Sequence, residues 1–324
     1  MKILVTGGAG YIGSHTAKAL KRAEYDPVVF DDLTSGHPWA VKWGPLVEGS
    51  LADTDLVRKT LTGHKIEAVI HFAASLLVSE SMTNPQKYFW NNVVNTLRLL
   101  DAMLEAKVKH IVFSSSAATY GIPQTVPIPE DHPKNPINAY GETKLSMERA
   151  IQWYGTAYGV RWMALRYFNA AGADPDGELG ESHDPETHVI PLVIGAALSQ
   201  RPAVEVYGTD YPTPDGTAVR DYIHVTDLGE AHVLALKHIL AGGESCALNL
   251  GTGQGNSVRE VIHAVGKMCG GRVPYRDAPR RSGDPPSLVA DPSRANRVLA
   301  WKPRISSLDS IVESAWNWHS KNRV

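Results

Sequence analysis

The opening stretch Met1-Lys-Ile-Leu-Val-Thr-Gly-Gly-Ala-Gly-Tyr-Ile-Gly13 constrains what this chain can fold into more than any other part of it. Ile3, Leu4 and Val5 form a short continuous apolar run, as a parallel strand covered on both faces requires. Gly7, Gly10 and Gly13 follow at GxxGxxG spacing, and the residues from Ser14 to Ala23 predict a helix. Such a turn needs positions without a Cβ where a pyrophosphate approaches, and helix N-terminal N–H groups to hold its charge. Val28-Val29-Phe30 predicts a second strand that ends in Asp31-Asp32, the spacing at which an acid meets the adenosine ribose hydroxyls. Asp31 would repel a 2′-phosphate, so the expected cofactor is NAD.

Beyond this unit, apolar runs of strand length alternate with longer amphipathic stretches, the pattern of a doubly wound parallel sheet. Strands are expected over 2–6, 27–30, 46–48, 68–72, 110–114 and 161–166, with helices opening near Ser14, Asp53, Pro85 and Ala139. Residues 170–185 are rich in Gly, Asp, Glu and Pro and predict a long surface connection. A helix is then expected over 191–199, a strand over 204–207 and a helix over 226–240, with Thr226 as N-cap and Asp227 at the positive end of its dipole. A strand over 247–250 and helices over 257–269 and 291–299 complete the chain, the last with Asp291 as N-cap and Pro292 at the first helical position. The fold class expected is α/β, with a nucleotide-binding domain over 1–169 that is rejoined at about 217–250. A smaller, discontinuous α/β domain occupies mainly 170–324.

At 324 residues the chain can bury a full core without covalent staples. Its net charge of -2 offers no electrostatic footprint for nucleic acid or an anionic membrane, and no apolar run reaches bilayer-spanning length. Met1 leads directly into the first strand, so a cytoplasmic protein with a small-molecule partner is expected. Cys246 and Cys269 lie in neither a CxxC nor a metal-ligand pattern, which predicts free buried thiols and no metal site.

Two stretches carry chemistry. Ser114-Ser115-Ser116 places hydroxyls at the carboxyl edge of the sheet, where ligands of this architecture bind. Tyr140 and Lys144 are four residues apart at the start of a helix and therefore share a face. A free tyrosine titrates near 10 and is a poor base at neutral pH, but a nearby ammonium and a cationic nicotinamide would both favour the phenolate. Tyr140 could then remove a hydroxyl proton while hydride leaves the same carbon, with Ser116 hydrogen-bonded to the oxygen.

The chain resembles the extended short-chain dehydrogenases/reductases, and within them the UDP-glucose 4-epimerases. The resemblance runs over essentially its whole length: Thr6 to His15, His71-Phe-Ala-Ala74, Asn91-Asn-Val93, Ser114 to Ser116, Tyr140 to Lys144, Leu165-Arg-Tyr-Phe-Asn169, Asp215-Gly216, Val219-Arg-Asp-Tyr-Ile-His-Val225, Asn249-Leu-Gly-Thr-Gly253 and Arg280-Arg-Ser-Gly-Asp284.

The resemblance implies a Rossmann-type sheet and tightly bound NAD, contacted by Gly7, Gly10, Tyr11, Ile12, Gly13, Asp31, Asp32, Ser50, Leu51, Phe72, Ala73, Asn91, Lys144 and Phe168. It implies UDP-hexose contacts at Ser116, Asn169, His188, Tyr207, Arg220, Arg281, Asp284 and Leu288, and a homodimer through the helices near Pro85 and Ala139. Related dehydratases use an Asp-Glu pair after the strand-end hydroxyl to expel water. This chain has Ala117-Ala118, which leaves epimerisation. Leu288 is intermediate in size at the position gating the sugar's 2-substituent, so N-acetylated sugars stay open. UDP-xylose/UDP-arabinose epimerisation and a non-catalytic NAD-binding regulator are the competing readings.

Overall fold

A computed structural model describes residues 1–281 and 283–321. Its strands are β1 Lys2–Thr6, β2 Asp26–Asp31, β3 Leu46–Glu48, β4 Ala68–His71, β5 His110–Ser116, β6 Arg161–Tyr167, β7 Asn169–Ala171, β8 Val204–Tyr207, β9 Val219–Arg220, β10 Tyr222–His224, β11 Cys246–Leu250, β12 Asn256–Ser257, β13 Tyr275–Ala278 and β14 Ser287–Leu288. Its α-helices are α1 Tyr11–Arg22, α2 Thr54–Gly63, α3 Val78–Thr83, α4 Pro85–Tyr88, α5 Asn95–Glu105, α6 Ala139–Tyr158, α7 Val189–Ala197, α8 Val225–Leu240, α9 Val258–Cys269, α10 Ser293–Leu299 and α11 Leu308–Lys321.

Alternation along β1 shows why the sheet is covered twice. Ile3 and Val5 point into one buried cluster with Leu20 of α1 and Leu228, Leu236 and Ile239 of α8. Leu4 points the other way, into a cluster with Val57 and Leu61 of α2, Leu99 and Met103 of α5 and Met147 of α6. Seven strands form the parallel sheet in the order β11-β6-β5-β4-β1-β2-β3. The chain therefore returns to this sheet with β11, which pairs with β6 from Cys246↔Met163 to Leu250↔Tyr167. The strand order reverses direction at β1, flanked by β2 and β4, so a crevice opens at the carboxyl ends of these strands. A third cluster, built from α7, α9 and α11 around β8, is the core of the smaller part.

Five expected features differ in the structure. Helix α1 begins at Tyr11, so Gly13 lies inside its first turn. The N-cap of α8 is His224, whose Nδ1 accepts from Thr226 N at 3.1 Å. Asp227 lies in the first turn of α8 as expected and also accepts from Arg304 N and Ile305 N, fastening the C-terminal segment. The helix near Pro85 is broken into α4, a π-helical turn over Phe89–Val94, and α5. Helix α10 starts at Ser293, and Asp291 accepts from Ser293 N without entering the helix. Cys269 is only half-buried, whereas Cys246 is buried. No described helix is long and apolar enough to cross a membrane.

Candidate active site

The glycine turn fits a dinucleotide. Gly7 has φ +70°, and a Cβ there would stand 2.6 Å from Ala73 N on the neighbouring strand end. A Cβ on Gly13 would lie 2.2 Å from Gly7 O, so this glycine lets the helix close onto the loop. At Gly10 a Cβ would meet only Gly7 O, tightly at 3.3 Å, and the glycine caps α1 without a side-chain hydrogen bond. The first-turn N–H groups of α1, Tyr11 and Ile12 included, are thus available to a phosphate. Tyr11 donates its hydroxyl to Gly172 O at 2.6 Å and so ties the turn to the long connection after β7.

Asp31 is placed differently from a free ribose acceptor. Its two oxygens accept from Ala9 N and Leu33 N, each at 2.9 Å, so it fastens the glycine loop to the end of β2. Burial raises its pKa, against the pull of those two N–H groups. Asp32 is exposed and accepts from Thr34 N at 3.1 Å. Ser50 accepts from Ala52 N, while the Leu51 side chain is buried in the cluster around Val28 and Phe30. Phe72 N and Ala73 N both donate to Thr6 O, holding the end of β4 against β1. Asn91 donates to Ser75 Oγ at 3.0 Å, and Phe168 packs on Ala117, Tyr120 and Ile128 with Leu288.

The three catalytic candidates converge. Asn138 caps α6 by accepting from Gly141 N at 2.8 Å, which sets Tyr140 and Lys144 at its start beside Ser116, the last residue of β5. Lys144 Nζ donates to Ser114 O at 2.9 Å and lies 5.8 Å from the Tyr140 ring centre. Burial lowers the Lys144 pKa to about 7, with Glu148 opposing. Burial also raises that of Tyr140, against the nearby Ser116 hydroxyl. Without the cofactor both groups sit in a dry site that disfavours their charged forms, so the phenolate would rely on the cationic nicotinamide as well as on the lysine.

Several residues that organise this site were not singled out by the sequence. Asn92, inside the π-helical turn, accepts from Ser75 N and donates to Thr143 Oγ1, linking β4's loop to the catalytic helix. Thr96 donates to Asn92 O, so it accepts from His71 Nε2, and His71 Nδ1 accepts from Thr6. Burial lowers the His71 pKa to about 3, consistent with this neutral tautomer. Beneath Ser115, Glu148 takes two bonds from Arg166, at 2.8 and 2.6 Å, and one from Ser115 at 2.5 Å. Asp221 accepts from Thr252 N, Gly253 N and Ala290 N, gathering the loops after β11 and β14. The signal for each was a polar residue within an apolar segment, whose partner lies far along the chain.

On the substrate side, Arg220 and Leu288 are register partners in β9 and β14. Arg220 donates to Asp284 at 2.5 Å, and the Arg281 guanidinium stacks 3.9 Å from the Tyr207 ring centre. Ser282, between these motif residues, lies outside the described residues. Asn169 pairs with Tyr222 where β7 meets β10. His188 caps α7 and turns its Nδ1 to Glu181, 2.6 Å away.

The profile of the NAD dependent epimerase/dehydratase family matches residues 3–251. A UDP-glucose 4-epimerase of Rhizobium meliloti is 52% identical over 319 residues, covering 98% of this chain and 97% of that protein. The crystal structure of a Brucella ovis UDP-glucose 4-epimerase in complex with NAD superposes with a TM-score of 0.95 at 52% identity, covering 97% of both chains. That of a Bifidobacterium longum UDP-glucose 4-epimerase in complex with NAD+ and UDP gives 0.94 at 39% identity, covering 100% of this chain and 99% of that one. The chain belongs to the NAD-dependent epimerase/dehydratase family and, within it, to the UDP-glucose 4-epimerases.

Proposed function

We propose that this protein interconverts UDP-galactose and UDP-glucose. The observation that carries the reading is the meeting of Tyr140, Lys144 and Ser116 at the carboxyl edge of the sheet, beside the glycine turn and with alanines at 117 and 118. Gly7, Gly10, Gly13, Tyr11, Ile12, Asp31 and Lys144 would hold NAD, which would supply a reversible hydride acceptor for the sugar's C4. Tyr140 takes the C4 hydroxyl proton and gives it back, and Ser116 holds the same oxygen. Lys144, anchored on Ser114 O, contributes positive charge below the phenol. Arg220, Arg281 and Tyr207 grip the UDP through charge and stacking, while the sugar pocket bordered by Leu288 and Phe168 lets the 4-keto sugar turn over.

The nucleotide part of the reading covers 1–169 with the return at about 217–250, supported by β11 in the parallel sheet, and the UDP-sugar part covers mainly 170–324. A homodimer is supported by the exposure of Trp90 at 56% and Trp153 at 71%, large apolar residues in the π-helical turn and on α6. A cytoplasmic location fits a chain without an apolar span. Purified protein mixed with UDP-galactose and no added NAD is expected to yield UDP-glucose by NMR. Absence of conversion with NAD supplied would overturn the proposal.

A further inference from the structure

The connection between β7 and α7 brings Glu181, His183, Glu186 and His188 together, with one donor atom from each lying within 4.8 Å of all the others. His183 Nδ1 is 3.2 Å from Glu181 Oε1 and 3.7 Å from Glu186 Oε2. His188 Nδ1 is 2.6 Å from Glu181 Oε1 and 3.4 Å from Glu186 Oε1. We propose that these four side chains bind one divalent transition-metal ion, zinc being the best match to two imidazole nitrogens and two carboxylate oxygens. With metal bonds near 2.0–2.1 Å, a tetrahedral site separates its ligand atoms by about 3.3 Å. The two His183 spacings straddle that value, and the shortest, from His188 to Glu181, would open as the ion enters.

The directions of these groups are the second observation. Glu181 is only 3% exposed, yet its Oε1 and both Nδ1 atoms are buried without a well-directed hydrogen bond. These atoms lie within ion-pair reach of one another, and two imidazoles and two carboxylates gathered in one place are the donor set that a divalent ion takes. Glu186 accepts Thr187 N and His188 N on Oε1 and keeps Oε2 for a ligand. The acidic group next along the chain, Asp174, Asp176 and Glu178, already has its cation: Lys18 Nζ lies 2.7, 2.8 and 2.6 Å from the three carboxylates. Among the described residues, no lysine or arginine pairs with Glu181 or Glu186.

The site is also braced from behind. Trp318 Nε1 donates to Glu181 O at 3.1 Å, and the Tyr11 ring stands edge-on to His183 at 6.2 Å. A bound ion would thus clamp the connection against the residue that opens the nucleotide turn, which makes these four positioning residues.

The test uses the full chain with its cofactor, free of affinity tags, dialysed against chelator, loaded with zinc and desalted. About one zinc per chain is expected to remain, and cobalt in its place is expected to give the visible absorption of a tetrahedral ion. Glu181→Gln and His183→Asn should each retain below about 0.2 zinc per chain with an unchanged circular dichroism spectrum. Glu186→Gln, which keeps an acceptor for the two backbone N–H groups, should weaken zinc about tenfold and guards against misfolding of the other variants. Chelator should lower the melting temperature of the unsubstituted protein by about 5 °C and leave that of His183→Asn unmoved. Retention below about 0.1 zinc per chain, or equal retention in all variants, which would mean adventitious surface zinc, overturns the proposal.

Discussion

Arg220 and Asp284 are joined by a 2.5 Å ion pair across 64 residues of sequence, although both are expected on the substrate. The pair holds the loop after β13 beside β9, and it aims the guanidinium before any diphosphate arrives. Asp284→Ala should therefore raise KM for UDP-galactose by about tenfold with kcat changed less than about threefold, because the contact serves binding in ground and transition states alike. Steady-state kinetics at fixed ionic strength decides this, and an unchanged KM would remove Asp284 from the site.

Tyr140→Phe removes the hydroxyl proposed to move the C4 proton. Turnover should fall by about 10²–10⁴-fold, the span of general acid–base catalysis, with NAD still bound when measured by its absorbance after desalting. Full turnover in the variant would transfer the role to another group.

Gly10 and Gly13 separate two uses of glycine. At Gly10, φ is -81° and a Cβ would press on Gly7 O alone, at 3.3 Å, so Gly10→Ala should fold with a small loss of stability and lose NAD affinity by tenfold or more, the methyl group lying where the phosphates would approach. Gly13→Ala would drive a Cβ to within 2.2 Å of Gly7 O and should lower the melting temperature of cofactor-free protein. Differential scanning calorimetry with and without NAD distinguishes the two.

Glu148→Ala strands the buried guanidinium of Arg166, which is 3% exposed and has Glu148 as its anionic partner. A loss of about 3–5 kcal/mol is expected in chemical denaturation, and a Glu148→Met, Arg166→Met double variant should regain most of it.

His71 and His232 are buried neutral, and burial pushes their pKa values down to about 3 and about 4. The unfolded chain takes up these protons near 6.5, the folded one only far lower. Their contribution to stability is thus complete above about pH 6.5 and is lost as pH falls towards 4. Together they should make the unfolding free energy fall by about 2.7 kcal/mol per pH unit over that window. Urea melts at pH 6, 5 and 4.5 test this, and substituting either histidine with an uncharged residue should make the slope shallower.

Where function rests on local spacing, it was legible in the sequence. The glycine turn, the Tyr140–Lys144 pair on one helical face and the alternation of strands and helices depend on residues a few positions apart, and backbone geometry converts such spacing directly into position. Exact helix starts, and the partners set by long-range packing, were not legible. Helix α1 starts three residues early because Gly13 closes onto Gly7, and α8 takes its cap from His224 instead of Thr226. Asp31, expected at the ribose, also fastens the glycine loop 22 residues earlier in the sequence. The pKa values of Tyr140 and Lys144 depend on how dry their surroundings are, which is a property of the packed protein. In sequence Glu181, His183 and Glu186 read as polar loop residues and His188 as a substrate contact; only the fold, by turning the connection back on itself against Tyr11 and Trp318, gathers them in one place.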